Sequence, residues 1–148
     1  MSQRKAELEA LLGPTVQSRG LELWGIELAL SRAGGFPRTI ATAAGNLGKI
    51  ARLHGQLELA WQHFSEGLEI GRRLRDSWLC AWMLDELGTL ATQQGRWPQA
   101  RALLEESMAI FRQSNYEGGM IMVAEHLAAL PSDDQLLAVG VASPAPQR

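Results

Sequence analysis

The sequence resembles itself when it is shifted by 40 residues. The matching positions are Leu47-Gly48, Ala51, Gly55, Ala60 and Ile70 against Leu87-Gly88, Ala91, Gly95, Ala100 and Ile110. Self-similarity at a fixed period of this length is typical of repeat arrays, in which each unit buries its apolar face against its neighbours. Such a stack presents a long surface rather than a closed pocket, so the pattern favours binding over catalysis.

Each repeat contains two helical stripes that are separated by a glycine. Apolar residues recur every three or four places over residues 39–53, which is the spacing of one helical face. Gly55 ends this helix, because glycine tolerates the left-handed backbone found just past helix ends. A second stripe covers residues 57–74, and residues 82–111 repeat the pair, with Pro98 in a first helical turn where its missing amide hydrogen costs little. The sequence therefore predicts antiparallel helical hairpins.

Extending the offset in both directions predicts an all-α right-handed solenoid of about three and a half hairpins. Residues 20–33 match the second helix of an earlier hairpin, and residues 120–130 match the start of another first helix. The predicted repeat domain is 1–131, with hairpins near 4–34, 38–75 and 78–114 and a lone helix at 118–130. Ser132-Asp-Asp-Gln135 is a capping-box pattern, so residues 132–148 are expected to form a short capping helix or a disordered tail.

Composition argues against several classes of function. The formal net charge is −2 with mixed signs, whereas nucleic-acid binding requires clustered Lys and Arg. No stretch approaches the roughly 18 apolar residues of a membrane span, and the charged N-terminal segment lacks the apolar core of a signal peptide. We therefore expect a cytoplasmic protein that binds neither nucleic acid nor membranes.

The sequence predicts neither a cofactor nor a metal site. His54, His63 and His126 are too scattered to ligate one metal ion. Cys80 is the only cysteine, so a disulfide framework and a Cys-based metal cluster are excluded. No histidine near Cys80 marks it as a nucleophile, and a buried structural thiol is expected.

Candidate acid pairs and glycine pairs do not indicate an enzyme. Neighbouring acids such as Asp85-Glu86 diverge by about 100° around a helix, which makes them poor acid–base couples. Solvated helix faces are the simpler interpretation of these pairs. Gly34-Gly35 and Gly118-Gly119 lack the preceding strand and the Gly-Lys-Ser/Thr ending of a phosphate loop, and are interpreted as hinges between hairpins.

The motif over residues 47–64, with Leu47-Gly48, Gly55-Gln-Leu57-Glu-Leu-Ala60 and Phe64, resembles the tetratricopeptide repeat family, and residues 87–104 carry a second copy. In that family Leu-Gly lies in the first helix of a hairpin and Ala in the second. The resemblance implies that Gly48 and its counterpart Gly88 let the two helices approach closely. It also implies that the array mediates protein–protein interaction.

The chain departs from the family pattern at several positions. Its period is 40 residues, whereas the family period is 34. The family's Trp is replaced by Ala44 and Leu84, its Tyr by Ala51 and Ala91, and its terminal Pro by Arg72 and Arg112. The longer period is similar to that of tetratricopeptide arrays in bacterial signal-transduction ATPases and transcriptional regulators, which implies by analogy a role in a regulatory system.

A second resemblance concerns the N-terminal segment. Pro14-Thr-Val and residues 20–28 are similar to the start of ribosome maturation factors that bind the small subunit. This alternative implies a strand over residues 21–28, where apolar and acidic residues partly alternate. The sequence after Gly35 does not continue that family's pattern, and the 40-residue offset already accounts for Trp24.

In a tetratricopeptide array the first helices line a concave groove, so residues on that side are candidates for partner binding. Trp78 and Trp82 are spaced i, i+4 and share a helix face. An exposed Trp82 would anchor a bound peptide. The predicted partner-binding residues are Asn46, Lys49, Arg52, Trp82, Asp85, Glu86, Thr89, Met122, Glu125 and His126. The face is expected to be positive at one end and acidic at the other.

The resemblance also indicates which partner to expect. Asn46 matches an asparagine with which carboxylate-clamp members hold a chain terminus, and Lys5 matches a clamp lysine. Trp82 and Glu86 replace the basic residues that such a clamp needs on the following repeat. An extended or helical segment of mixed charge is therefore the expected partner. The alternative left open is a self-associating fragment or spacer, whose exposed repeat ends pair in a homodimer.

Overall fold

A computed structural model describes residues 24–26, 29 and 32–138 of the chain. Its helices are α1 (Pro37–Leu53), α2 (Leu57–Leu74), α3 (Ser77–Gln93), α4 (Trp97–Gln113), α5 (Glu117–Ala128) and α6 (Asp133–Ala138). Residues 24–26, 29 and 32–34 are also helical, and no strand occurs among the described residues. Each helix from α1 to α5 packs on the next. The predicted all-α solenoid of helical hairpins is confirmed.

The domain boundaries and the handedness of the solenoid stay predictions. Most of the N-terminal hairpin near 4–34 lies outside the described residues, as do Lys5 and residues 139–148. The strand that the ribosome-maturation alternative requires over residues 21–28 is wrong at residues 24–26, which are helical.

The first five labelled helices begin 20 residues apart, so one hairpin occupies 40 residues. Their first residues are Pro37, Leu57, Ser77, Trp97 and Glu117. The turn before each helix contains one residue with a left-handed backbone, and these residues also recur every 20 positions: Gly35, Gly55, Arg75, Gly95 and Asn115. The glycine stops predicted at Gly55 and Gly95 are therefore confirmed. The glycines alone do not reveal this 20-residue spacing, because Arg75 and Asn115 take the place of glycine in every second turn.

Glycines in the first helices allow the two helices of each hairpin to approach closely. A Cβ atom at Gly48 would lie 2.6 Å from Cε1 of Phe64, and one at Gly88 would lie 2.6 Å from Cγ of Leu104. Real Cβ atoms do not make such short contacts, so a larger residue would force the neighbouring side chain to move. The packing role implied by the family resemblance is present in both hairpins.

Gly118 and Gly119 do not form a hinge. Both lie in the first turn of α5, and a Cβ atom at Gly119 would lie 2.6 Å from the ring of Phe111. Close packing of α5 on α4 is the physical reason for this glycine, and the predicted hinge between hairpins is wrong here. Gly35, with φ of 72°, does lie in a turn, immediately before α1.

The core lies between the two helices of each hairpin and continues from one hairpin to the next. Phe64 and Phe111 are fully buried in the second helices, and Trp61 packs against the cores of both hairpins. Cys80 is buried and packs against Gly71, where a Cβ atom would lie 3.1 Å from the Cys80 sulfur. Burial raises the pKa of the Cys80 thiol, which keeps it protonated, as expected for a structural cysteine.

Helix α6 begins with the capping box that the sequence predicts. The backbone N–H of Gln135 donates to Ser132 Oγ at 3.2 Å, and the backbone N–H of Ser132 donates to Gln135 Oε1 at 2.9 Å. These reciprocal bonds satisfy two of the amide groups that a helix start leaves unpaired. Helix α6 packs against no other described helix, and its role as a cap for the stack stays a prediction.

Candidate functional site

Among the first helices of the hairpins, α3 contacts α1 on one side and α5 on the other, while α2 and α4 pack behind them. The surface they share carries the predicted partner-binding residues together with Trp78, and is called the groove face below. Three side-chain features define its chemistry: a tryptophan pair, two buried acids and a small set of exposed charges.

The tryptophan pair lies on α3. The rings of Trp78 and Trp82 have their centroids 5.4 Å apart with a tilt of 39°, which confirms that they share a face. Trp82 is half-buried because its ring lies over α1, where a Cβ atom at Gly45 would be 2.7 Å from Cη2. Its Nε1–H donates to Glu86 Oε1 at 3.2 Å. Trp78 remains 45% exposed and presents the more open aromatic surface.

Asp85 connects α3 to α5. Asp85 is only 2% exposed, and its Oδ1 lies 2.7 Å from Nδ1 of His126, within hydrogen-bonding distance. Burial raises the pKa of Asp85, while the hydrogen bond and charge of His126 and the charge of Arg52 act in the opposite direction. The expectation of a solvated acid is wrong here, because the neighbouring first helices exclude water from this carboxyl.

Glu86 connects α3 to α1 in the same way. It is 8% exposed, and Nη2 of Arg52 lies 3.6 Å from its Oε2. Burial raises the pKa of Glu86, and the charges of Arg52 and Lys49 and the Trp82 hydrogen bond oppose that rise. Neighbouring residues on a helix point about 100° apart, so one acid contacts α5 and the other contacts α1. Together the two acids link α3 to both of the other first helices.

The remaining predicted residues differ in how available they are. The Asn46 amide donates to the Thr42 carbonyl at 3.1 Å, and the Thr89 hydroxyl donates to the Asp85 carbonyl at 2.9 Å. Both side chains are thus engaged with their own helices. Lys49 and Glu125 are exposed, and Met122 is half-buried. The exposed charges lie on α1 and α5, on either side of the tryptophan pair.

The list of predicted partner-binding residues omits two residues of this surface. One is Trp78, although its i, i+4 spacing already pairs it with Trp82. Arg38 lies on α1 at the position that corresponds to Trp78 one repeat earlier, and it forms an ion pair with Asp76 just before α3. The 40-residue offset is the signal that could have found Arg38.

The part of the chain that the structure describes forms neither a candidate metal centre nor a membrane-spanning helix. Within residues 24–26, 29 and 32–138, no group of three or more His, Cys, Asp or Glu side chains is placed to hold a metal ion. In the same part of the chain, no helix combines the length and the apolar character that crossing a bilayer requires.

Comparison with known proteins identifies the family. The family model for the tetratricopeptide repeat matches residues 39–113, which include α2, α3 and α4 and nearly all of α1. A search of curated proteins found no significant match. The matched segment contains both copies of the Leu-Gly motif, and it spans about half of the chain. Together with the hairpin architecture, this match shows that the chain belongs to the tetratricopeptide repeat family.

Proposed function

We propose that this protein is an interaction module that binds a peptide or helical segment of a partner protein on the groove face. Tetratricopeptide repeats form a non-catalytic family that generally mediates protein–protein interaction. The observation that carries the proposal is the contact between the rings of Trp78 and Trp82, of which Trp78 is 45% exposed. Tryptophan is enriched among the residues that contribute most binding energy at interfaces.

The burial of the two acids changes their proposed role. Asp85 and Glu86 are too buried to be direct ligands and are instead positioning residues, which hold α1 and α5 on either side of α3. Lys49 and Glu125 are exposed and of opposite charge, so they orient a partner segment that carries both signs. Rim charges of this kind mainly affect the association rate and the orientation of binding.

The test is substitution of the exposed tryptophan. Trp78→Ala removes the outer ring and should weaken partner binding by about 2 kcal/mol or more, roughly 30-fold, as expected for an interface hot spot. Trp82→Ala is less clean, because it also removes the Glu86 hydrogen bond and the packing on Gly45. The matched control is Tyr116→Ala, which removes a similarly exposed aromatic ring at the turn before α5.

The measurement has two stages. Partners are first captured from the native cell with the wild-type chain, and the purified partner is then titrated calorimetrically against each variant. Binding that is lost with Trp78→Ala and kept with Tyr116→Ala supports the proposal. Equal affinity of wild type and Trp78→Ala would show that the groove face is not the binding site.

We also propose that the module works in a bacterial regulatory protein in the cytoplasm. The support is the 40-residue period, which resembles that of arrays in bacterial signal-transduction ATPases and transcriptional regulators. Neighbouring genes that encode a regulator or its target would agree with this role. A partner from an unrelated process, captured through the groove face, would contradict it while leaving the binding proposal intact.

A further inference from the structure

The C-terminal end of α1 carries two cations on the groove face. Lys49 and Arg52 are three positions apart, a spacing at which side chains on a helix share a face. Both point towards Glu86 of α3: burial raises the pKa of that acid, and the charges of Arg52 and Lys49 oppose the rise. Lys49 is exposed and Arg52 is half-buried. These two side chains are called the cation pair below.

The contact between Arg52 and Glu86 leaves donors of the guanidinium unused. Arg52 Nη2 lies 3.6 Å from Glu86 Oε2, which is too long for a hydrogen bond. Its Nε is buried and has no hydrogen-bond partner among the described residues. By comparison, Nη2 of Arg72 lies 3.3 Å from Oε1 of Glu106. Because a guanidinium carries five N–H donors, Arg52 can bind a further acceptor.

The acids around the cation pair are already engaged. Glu86 Oε1 accepts a hydrogen bond from the indole of Trp82, and Asp85 lies within hydrogen-bonding distance of His126. Lys49 takes part in none of the ion pairs between described residues. The surface at the end of α1 therefore presents positive charge without a carboxylate of its own, and an acidic group complements it.

We propose that the cation pair binds an acidic side chain, an Asp or a Glu inside the sequence of the partner segment. This inference rests on the proposed function, because it concerns the same segment on the groove face. The planar guanidinium of arginine suits the two oxygens of a carboxylate, and lysine adds a second positive charge. Asn46 is not needed for this contact, since its amide donates to the Thr42 carbonyl.

The repeat geometry places this acid relative to the apolar anchor of the partner. Helices α1 and α3 run in the same direction, because one antiparallel helix separates them. Trp78 corresponds to position 38 of α1, so Lys49 lies 11 residues further along the axis, or about 16 Å. Neighbouring helix axes add about 10 Å sideways. The resulting separation of about 20 Å equals about six residues of an extended segment or about 13 of a helix.

Acids in the undescribed parts of the chain complement the cation pair less well. Residues 139–148 contain no Asp or Glu, and residues 1–23 contain three acidic and three basic residues. Neither segment has an excess of negative charge. The 40-residue offset aligns Glu27 with Gly67 of α2, a helix that packs behind the first helices. An acidic residue of another protein is therefore the better match.

The probe is a phage-displayed library of random 16-residue peptides, each joined to the coat protein by its C-terminus so that no free terminal carboxylate is present. The library is selected on the 148-residue chain, and peptides that also bind Trp78→Ala are removed. Enriched peptides should carry Asp or Glu at one of the two expected spacings from an aromatic or large aliphatic residue. Trp78-dependent peptides without such an acid would overturn the inference and leave the proposed function intact. If no enriched peptide depends on Trp78, both fail.

A double-mutant cycle then tests direct contact, with one enriched peptide labelled with fluorescein and titrated by fluorescence anisotropy. Lys49→Gln, and the change of the peptide acid to its amide, should each weaken binding about fivefold, and the two together no more than about fivefold. Arg112→Gln is the matched control, because Arg112 is an exposed base on α4, behind the groove face, and it should bind like wild type. Effects that multiply to about 25-fold would overturn the contact.

The contribution of Arg52 is tested by Arg52→Lys. This variant keeps the positive charge that faces Glu86 but loses the planar fork, so it should weaken peptide binding about threefold. Its urea unfolding is measured alongside and should match that of wild type. Unchanged peptide affinity in both Arg52→Lys and Lys49→Gln would overturn the assignment of the acid to the cation pair.

Discussion

The residues with left-handed backbones give a quantitative test of the 20-residue register. Gly95 has φ of 72° and Arg75 has φ of 53° in equivalent turns. A residue with a Cβ atom loses roughly 1–2 kcal/mol in this conformation. Glycine avoids that strain but loses about 0.5–1 kcal/mol more conformational entropy on folding. The two terms together predict that glycine at these turns gives a free energy of unfolding about 0.5–1 kcal/mol higher than a larger residue does.

The surroundings of these turns allow the strain to be isolated. A Cβ atom at Gly55 would have no neighbour within 4 Å, and one at Gly95 would only touch Trp97 at 3.8 Å. Arg75 is exposed and makes no ion pair within the described residues. Arg75→Gly should therefore raise the free energy of unfolding by about 0.5–1 kcal/mol, and Gly95→Ala should lower it by a similar amount.

The assay is urea unfolding followed by circular dichroism, with the free energy obtained by linear extrapolation. Asn115→Gly is the internal control. Because asparagine tolerates the left-handed conformation better than arginine does, this variant should raise the free energy of unfolding less than Arg75→Gly does. If Arg75→Gly were less stable than wild type while Gly95→Ala matched it, the backbone of these turns would differ from the one described, and the 20-residue register would fail with it.

The other predictions concern packing, titration and surface charge. Gly48→Ala should lower the free energy of unfolding by about 1–3 kcal/mol, because its Cβ meets an aromatic ring. Gly88→Ala should cost less in the same urea assay, since a leucine can change rotamer. Burial raises the pKa of Asp85 above its ordinary value. Between the pKa of Asp85 in the unfolded chain and its higher pKa in the folded chain, the folded chain keeps a proton that the unfolded chain has released, so the free energy of unfolding falls as pH rises through this interval. Asp85→Asn should be more stable than wild type near neutral pH, with an advantage that shrinks towards about pH 4 in a pH series of urea titrations. Glu106→Gln should cost at most about 1 kcal/mol, and the loss should vanish in high salt.

Local sequence signals were sufficient for much of the fold. The helix-ending glycine at Gly55, the proline in the first turn of α4 and the capping box at Ser132 each depend on residues within a few positions. Their physical effects do not require knowledge of the rest of the chain. The 40-residue offset then supplied the stacking order, because equivalent residues in a repeat array have equivalent neighbours.

Features that depend on distant neighbours were not predicted. Asp85 bonds to a histidine 41 positions away, and its burial follows from how α5 packs on α3. Periodicity indicates which side of a helix a residue occupies, but not how deeply the next helix covers it. Gly119 illustrates the same limit, because a glycine for close packing and a glycine for a hinge look alike in one sequence, and the ring of Phe111 decides between them.

The positions where the repeats differ are matched to one another across the groove face. Gly45 leaves room for the ring of Trp82, and His126 lies within hydrogen-bonding distance of Asp85. The 40-residue offset places Asp85 opposite Gly45, Thr42 opposite Trp82 and Glu86 opposite His126, so each of these positions holds a different residue in a neighbouring repeat. Replacing one of them by the residue of a neighbouring repeat would therefore remove a partner from the adjacent helix. Such matching fixes the spacing of the first helices. Under the proposed function, selectivity for a partner would therefore depend on the exposed residues of these helices, and on Trp78 in particular.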